Sequence, residues 1–234
     1  MGLQRRRSGD RRPHAGVGPI AAPRRTRAPR GEGERLRDEI LAATEKLLLK
    51  TGDESAVSIR AIADAVGVSP PSIYLHFVDK DELIRSVCGA QFRKLDELVA
   101  ETMAGIDEPL EKLRCRGQAH VRFGVAHPEH YRIMLMGKSN FTHEAFAAGL
   151  LPGMRGLQEL IENVQECMDA GDFAKDDPLA VATILWAAVH GMTSLLISIP
   201  GFPTFHDREA MVDQMLETLA RGLAPVDEGR SGSK

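Results

Sequence analysis

Apolar residues recur at intervals of three and four along most of the chain, the spacing that places them on one face of an α-helix. The pattern predicts a first helix from about Glu34 to Lys50 and a long helix that begins at Asp79 and runs to about Met103. Further helices are predicted at residues 109–126, 128–136, 143–170 with an interruption at Pro152-Gly153, 179–199 and 207–223. Neither an internal repeat nor the alternation typical of a strand is evident, so the sequence predicts an all-α fold.

The stretch from Ser58 to Lys80 predicts two short helices joined by a tight turn. Ser58 is a favourable N-cap for the first helix, and Gly67 can adopt the left-handed conformation that ends it. The pair Ser69-Pro70 then supplies a cap and a first-position proline for the second helix, which is expected to run to about Phe77. Two helices with a short turn that contains Gly are typical of the helix-turn-helix motif, whose second helix enters the DNA major groove.

The residue types in this stretch also follow a recognisable order. A Gly-Val-Ser turn at residues 67–69 is followed by Tyr74, by His76-Phe77 and, after a short gap, by Lys80 and an acidic residue. This order resembles the N-terminal DNA-binding domain of the TetR family of bacterial transcriptional regulators, over roughly Glu34 to Gln91. The alternative, a helical hairpin within an all-α core, would not require exposed aromatic and imidazole side chains beside a lysine.

The resemblance implies a division of the chain into two folded domains. A three-helix helix-turn-helix DNA-binding domain is expected at residues 34–95, and a larger helical ligand-binding and dimerisation domain at residues 96–225. Residues 1–33 are expected to form a disordered basic arm, and residues 226–234 a flexible tail. The helix predicted from residue 79 to residue 103 is long enough to belong to both domains, so it is expected to act as the lever between them.

Eight residues are predicted to contact double-stranded operator DNA. Polar groups at helix starts, and an arginine beside them, suit base or phosphate contacts. For the tyrosine, histidine and lysine of the family pattern, the resemblance implies phosphate contacts. The predicted DNA-binding residues are Ser58, Arg60, Ser69, Pro70, Ser72, Tyr74, His76 and Lys80.

Charge is distributed unevenly along the chain. Residues 1–30 hold nine arginines and one acid, a net charge of +8, whereas the remainder carries −11. A basic arm beside an acidic body is typical of a chain that touches phosphates at one end. The arm is therefore predicted to lie along DNA phosphates or in a minor groove, if it is not simply disordered.

The run from Leu179 to Ile199 is nearly as long and apolar as a membrane span. It contains several Thr, Ser, Gly and His residues, and acids rather than a basic cluster flank it, so a buried core helix at a subunit interface is favoured over a membrane helix. In order and character, this helix and the last one resemble the pair that forms a four-helix bundle across the two-fold axis of TetR dimers. The resemblance therefore implies a homodimer.

Trp186, His190 and Gly191 resemble the signature of a C-terminal subgroup of the family that is named for Trp-His-Gly. Trp186 and His190 are one helical turn apart and share a face. Two interpretations stay open: the tryptophan fills the core while the histidine donates to a buried carbonyl, or both line a cavity for a small-molecule effector. In the second, the predicted ligand-binding residues are His120, Phe123, Met134, Met136, Trp186 and His190.

Enzymatic and metal-dependent functions are disfavoured. The sequence shows no His-x-x-x-His or His-Glu-x-x-His pair, no Gly-rich phosphate loop and no Gly-x-Ser-x-Gly elbow, so no cofactor or metal is predicted. Cys88, Cys115 and Cys167 lack metal-ligand spacing and are interpreted as reduced thiols packed in the core, with a redox sensor as the alternative. Without an apolar signal segment near its N-terminus, the chain is predicted to be cytoplasmic.

The sequence therefore predicts a ligand-responsive, homodimeric DNA-binding repressor that a small molecule releases from a pseudo-palindromic operator. Two alternatives share the same DNA-binding domain: a transcriptional activator, and a sequence-tolerant DNA-binding protein that relies on the arginine-rich arm. The sequence does not identify the effector, the operator or the regulated genes.

Overall fold

The computed structural model describes residues 32–137, 152–199 and 207–226. Within these ranges all regular elements are helical, which confirms the predicted all-α class. The nine α-helices are α1 Glu32–Thr51, α2 Ile59–Val66, α3 Pro70–Ile73, α4 Lys80–Met103, α5 Pro109–Ala126, α6 Pro128–Tyr131, α7 Met154–Ala170, α8 Pro178–Ser198 and α9 Arg208–Leu223. The predictions for the basic arm, for residues 143–151 and for most of the tail lie outside the described residues.

The first three helices and the start of α4 enclose a small core. Ile40 and Leu48 from α1, Ile62 from α2 and Ile73 from α3 are completely buried there, and Phe77 lies beside them. These residues are the apolar positions of each helical stripe, so hydrophobic periodicity alone brings the helices together.

Helix α4 continues from this core into a second one. Leu83, Ile84 and Val87 pack with the first three helices, whereas Phe92 and Leu95 further along α4 pack with α5 and α6. Its 24 residues therefore link both parts of the molecule through one continuous element, as the sequence predicts.

Capping fixes where α4 begins. The Asp79 carboxylate accepts a hydrogen bond from the backbone N–H of Glu82 at 2.6 Å, and the Glu82 side chain reaches back to accept one from the backbone N–H of Val78. This arrangement is a capping box in which the reciprocal bond is shifted by one residue. Two of the otherwise unpaired N–H groups at the helix entry are thereby satisfied.

Helix α5 lies at the centre of the second part and packs against α4, α7, α8 and α9. Two glycines on α5 permit this crowding. A Cβ atom at Gly117 would lie 2.7 Å from Leu216 on α9, and one at Gly124 would overlap Thr193 on α8. A larger residue at either position would therefore push a neighbouring helix away.

Helix α8 is, among the described helices, the one long and apolar enough to cross a membrane by length and composition. It packs against α5 and α7, and its inner face, which includes Val181, Ala182, Leu185 and Val189, is buried there. Burial of one face against polar-surfaced helices is typical of a core helix in a globular domain.

Candidate DNA interface and ligand cavity

Residues 58–77 form the predicted helix-turn-helix. The Ser58 hydroxyl accepts a hydrogen bond from the backbone N–H of Ala61 at 3.1 Å and so caps α2. Gly67 ends α2 with φ 77° and ψ 33°, the left-handed conformation that glycine adopts without strain. Ser69 has an extended backbone conformation as the N-cap, and the two prolines that follow it begin α3.

The second helix of the motif is shorter than the sequence predicted. It is α-helical over Pro70–Ile73 rather than to Phe77. The chain continues in a turn in which the N–H groups of His76 and Phe77 both donate to the Ile73 carbonyl. Tyr74 is the C-cap of α3, and the extended Asp79 further on begins α4.

Most of the predicted DNA-binding residues lie on the surface of this motif. Ser58, Arg60, Ser69, Pro70 and Tyr74 are exposed. The remaining three, Ser72, His76 and Lys80, are half-buried. The hydroxyls of Ser69 and Ser72 lie 2.9 Å apart at the start of α3. One hydroxyl of this pair donates to the other, which leaves a second O–H to donate outward.

Lys80 has a structural role that the sequence did not predict. Its ammonium donates to the backbone carbonyls of Glu54 at 2.9 Å and Val57 at 3.1 Å. These bonds attach the start of α4 to the turn that precedes α2. An ammonium has three N–H donors, so the predicted phosphate contact depends on the one that remains.

Two apolar side chains on the same surface were missed by the sequence reasoning. Leu75 is 83% exposed and Val78 is 82% exposed, on either side of the buried Phe77. Leu75 lies between two of the predicted contacts, Tyr74 and His76, and a single exposed apolar residue leaves no signal in a helical pattern. Apolar groups at a DNA interface can contact thymine methyl groups.

A cavity of about 490 Å³ opens in the second part of the molecule, between α4, α5, α7, α8 and α9. Its wall is mainly apolar, as is usual for a pocket that holds a small organic molecule. The apolar and aromatic residues of the wall include Phe92, Leu95, Val99, Leu113, Leu135, Leu157, Leu160, Phe173, Leu185, Trp186, Val189 and Leu216.

Two of the six predicted ligand-binding residues, His120 and Trp186, line this cavity. The other four do not. Phe123 and Met134 are packed into the neighbouring core with 4% exposure each, and Met136 is 42% exposed at the surface. His190 lies behind the wall, against Trp186.

A local change in helical pitch keeps both methionines out of this cavity. Residues Arg132–Met136 form a π-helical turn rather than the predicted α-helix. The wider turn rotates the side chains relative to an α-helix. It is Leu135, between the two methionines, that reaches the cavity.

A chain of hydrogen bonds runs from the cavity wall into the core. His120 Nε2 lies 2.9 Å from the Tyr131 hydroxyl, which lies 2.8 Å from His190 Nδ1. Trp186 stacks on His190 with ring centroids 5.6 Å apart and an interplanar angle of 19°. His190 therefore bonds to a phenol rather than to the buried carbonyl that one interpretation had assigned to it.

Burial controls the protonation of these three hydrogen-bonded side chains. It lowers the pKa of His120 to about 4 and also lowers the pKa of His190, while it raises the pKa of Tyr131. Both imidazoles and the phenol are therefore neutral near pH 7. Tyr131, which is completely buried, was missed because a tyrosine in an apolar stripe gives no separate signal.

Two of the three cysteine thiols, those of Cys88 and Cys167, lie in apolar clusters, whereas the Cys115 thiol donates to the Glu111 carboxylate at 3.6 Å. Burial raises the pKa of Cys88 to about 11 and that of Cys167 to about 12, so both are protonated at neutral pH and poorly nucleophilic. Within the described ranges, no group of three or more potential ligands could hold a metal ion.

Two protein-family models match the chain. One describes bacterial regulatory proteins of the tetR family and matches residues 40–87, which contain the helix-turn-helix. The other describes the tetracyclin repressor-like C-terminal domain and matches residues 113–219, which contain most of the cavity wall. The proposed Trp-His-Gly subgroup stays a prediction.

Two bacterial regulators match parts of the chain in sequence. A probable repressor of the acrEF/envCD operon from Escherichia coli (strain K12) is 28% identical over 170 residues, which cover 69% of this chain and 77% of that protein. The HTH-type transcriptional regulator EthR from Mycolicibacterium smegmatis is 27% identical over 103 residues, 44% of each chain.

Solved structures share the fold. A protein of unknown function from Rhodococcus sp. RHA1 superimposes with a TM-score of 0.65 at 25% identity, covering 81% of this chain and 96% of the other. NalD, the secondary repressor of the MexAB-OprM multidrug efflux pump in Pseudomonas aeruginosa, superimposes with a TM-score of 0.60 at 24% identity, covering 85% and 100%. With both of its domains matched in sequence and its fold matched in structure, the chain belongs to the TetR family of bacterial transcriptional regulators.

Proposed function

We propose that this regulator is a homodimeric, cytoplasmic repressor that binds a pseudo-palindromic operator and is released from it by a small molecule bound in the cavity. The observation that carries the proposal is the path of α4. The same helix supplies residues to the core behind the DNA-binding motif and to the wall of the cavity. The similarity to the probable acrEF/envCD operon repressor from Escherichia coli supports the assignment of repression over catalysis.

The DNA-binding part of the proposal rests on the exposed surface of residues 58–77. The reading helix is held from behind by Ile73 and Phe77, which are buried, so its polar side can face a major groove. Two such motifs in a dimer would meet half-sites about 34–36 Å apart. Arg60 and the Ser69–Ser72 pair are the proposed base or phosphate contacts, and Tyr74 and His76 the proposed phosphate contacts.

The dimer part rests on the outer face of α8. This face carries Ile184, which is 54% exposed, and Leu195, which is 47% exposed, one on either side of Ala187 and Gly191. Contiguous exposed apolar residues mark interaction surfaces, and small residues between them permit close approach of a second helix. A second copy of α8, packed across a two-fold axis, would remove this face from water.

The ligand part rests on coupling through α4. A molecule in the cavity touches Phe92, Leu95 and Val99, which are continuous through the helix with Leu83 and Val87 in the DNA-binding domain. A ligand that binds more tightly when α4 is displaced increases the population of dimers with a displaced α4. In these dimers the separation of the two DNA-binding motifs no longer matches the operator. Only this difference in affinity between the two states can produce release.

The test measures specific binding. The purified protein is incubated with fragments of its own genome at about 150 mM salt, and bound fragments are sequenced and compared with input. We expect enrichment of a few sites with inverted repeats and a stoichiometry of two subunits, or a multiple of two, per site. Uniform recovery of fragments would instead favour the sequence-tolerant alternative, and recovery of none would contradict the proposal.

A further inference from the structure

Asp96 occupies an unusual position in the wall of the cavity. It lies on α4, one helical turn after Phe92, and is only 8% exposed. Its carboxylate abuts the first turn of α7, where a Cβ atom at Gly156 would lie 2.9 Å from Oδ1. The wall around it is made mostly of apolar side chains.

The other charged residues of the wall have partners in the protein. Glu111 and Arg114 form a bidentate pair with both hydrogen bonds at 2.9 Å. Arg116 lies 3.4 Å from Glu159, and Glu217 lies 3.3 Å from Arg221. Asp213 accepts a hydrogen bond from Gln118 and lies 3.9 Å from Arg114.

Asp96 differs from all of these. Within the described part of the chain its carboxylate accepts no hydrogen bond and has no ion pair within 4 Å. The guanidinium groups of Arg155 and Arg116 lower its pKa from a distance, but burial outweighs them and raises it. A carboxylate without a partner in an apolar wall costs free energy that a bound cation would offset.

The surroundings of Asp96 suit the rest of such a molecule. Phe92 on the same helix, Phe173 and Trp186 all line the cavity, and aromatic faces attract cations as well as alkyl groups. Resting on the proposed function, we propose that the effector is an apolar organic cation whose ammonium group binds the Asp96 carboxylate.

An anionic effector is the main competitor. Arg116 also lines the cavity, and its Nε is buried without a partner. Its terminal nitrogens, however, already face Glu159 and the Gly156 carbonyl at 3.4 Å. An anion would have to displace Glu159 and also approach Asp96, so its binding would be opposed by like charge.

The test compares three head groups on one alkyl chain: decylamine, decanol and decanoate, which are cationic, neutral and anionic at neutral pH. Binding to the full-length protein is followed by the fluorescence of Trp186, the one tryptophan of the chain. We expect decylamine to bind at least about tenfold more tightly than the other two. Asp96→Asn should remove most of this preference and leave the affinity for decanol unchanged.

Asp169→Asn is the matched control, since Asp169 is an exposed acid on α7 that pairs with Lys175 outside the cavity. It should keep the preference for decylamine, and the melting temperature of each variant confirms folding. If decanol or decanoate binds as tightly as decylamine, or if Asp96→Asn retains the preference, the cationic effector is excluded while the ligand-responsive repressor stands. If none of the three binds, the proposed effector chemistry fails, and the repressor proposal is decided separately by the operator-binding test above.

Discussion

At the scale of single residues, the two surfaces of interest use side chains in opposite ways. On the DNA side most of the predicted contacts are exposed, although the Lys80 ammonium donates to two protein carbonyls. In the row that leads inward from the cavity wall, His120, Tyr131 and His190 are instead bonded to one another. The first arrangement leaves donors available to a partner, whereas the second fixes their geometry.

The exposed Tyr74 gives a prediction about the interface. If its hydroxyl donates to a phosphate, Tyr74→Phe should weaken operator binding by about tenfold or less, by a similar factor for every operator variant. Anisotropy titrations with a set of single-base operator variants provide the measurement. Loss of affinity at one base position alone would show that the hydroxyl reads a base instead.

His120, in the wall of the cavity, gives a prediction about pH. Its pKa in the folded protein, about 4, lies below the ordinary histidine value of 6.5. Between these values the unfolded chain binds more protons, so the free energy of unfolding falls as the pH is lowered from about 6.5 towards 4.

His120→Gln should make this dependence shallower, which urea titrations at a series of pH values can measure. The comparison must be made between the two proteins because acidic residues also titrate in this range. His76, which is half-buried on the DNA-binding surface, offers the control substitution His76→Gln. Equal slopes for wild type and His120→Gln would show that His120 is already protonated in the fold.

At the scale of elements, α5 and α4 carry most of the organisation. Helix α5 contacts five other helices, and its two crowded glycines permit the close approach of α8 and α9. Helix α4 joins the two cores. Capping and close packing of these two helices therefore fix the positions of the side chains that line the cavity and support the DNA-binding motif.

Gly124 tests the importance of close packing. Gly124→Ala would place a methyl group against Thr193 and within 2.9 Å of Tyr131, so we expect a loss of about 1–3 kcal/mol in the free energy of unfolding. Urea denaturation measures it. Gly222→Ala on α9 has open space around the added Cβ and should be neutral or slightly stabilising; a similar loss in both variants would contradict the packing argument.

The elements were predicted well because their boundaries are marked by particular residues. Asp and Pro open α8, and Asp79 opens α4, so capping chemistry local to the sequence places these ends. The end of α3 was not visible in the pattern because Ile73 and Phe77 keep helical spacing and are both buried, although a turn connects them. Helical periodicity also did not place Leu135, rather than its neighbouring methionines, at the cavity, because the π-helical turn at Arg132–Met136 rotates the side chains.

At the scale of the whole molecule, the exposed face of α8 is the feature on which the proposed dimer depends. The described subunit leaves apolar side chains of α8 in contact with water, while the DNA-binding motif lies in the other part of the molecule, joined to it through α4. In the proposed dimer, ligand, partner and DNA would each occupy a separate surface of one subunit. Their coupling would then depend on rigid helices between the surfaces.

Ile184 tests the proposed dimer. Ile184→Glu should shift the protein towards monomer, because a buried unpaired carboxylate opposes association, and it should weaken operator binding because two reading heads are no longer linked. Sedimentation velocity measures the first effect.

Val226→Glu is the control, because Val226 is another exposed apolar residue, with 86% exposure, and lies outside α8. This substitution should leave the dimer intact. An unchanged dimer in Ile184→Glu would place the interface elsewhere.

The row of His120, Tyr131 and His190 has a further consequence, which follows from counting protons. Two hydrogen bonds meet at one hydroxyl, so the phenol donates to one imidazole and accepts from the other. If the free nitrogen of His120 carries a hydrogen, the free nitrogen of His190 must be bare, and the reverse also holds. A ligand that hydrogen-bonds to the free nitrogen of His120 thus decides whether that nitrogen carries a hydrogen. It thereby decides the opposite state for the free nitrogen of His190, beside Trp186, without any movement of the backbone.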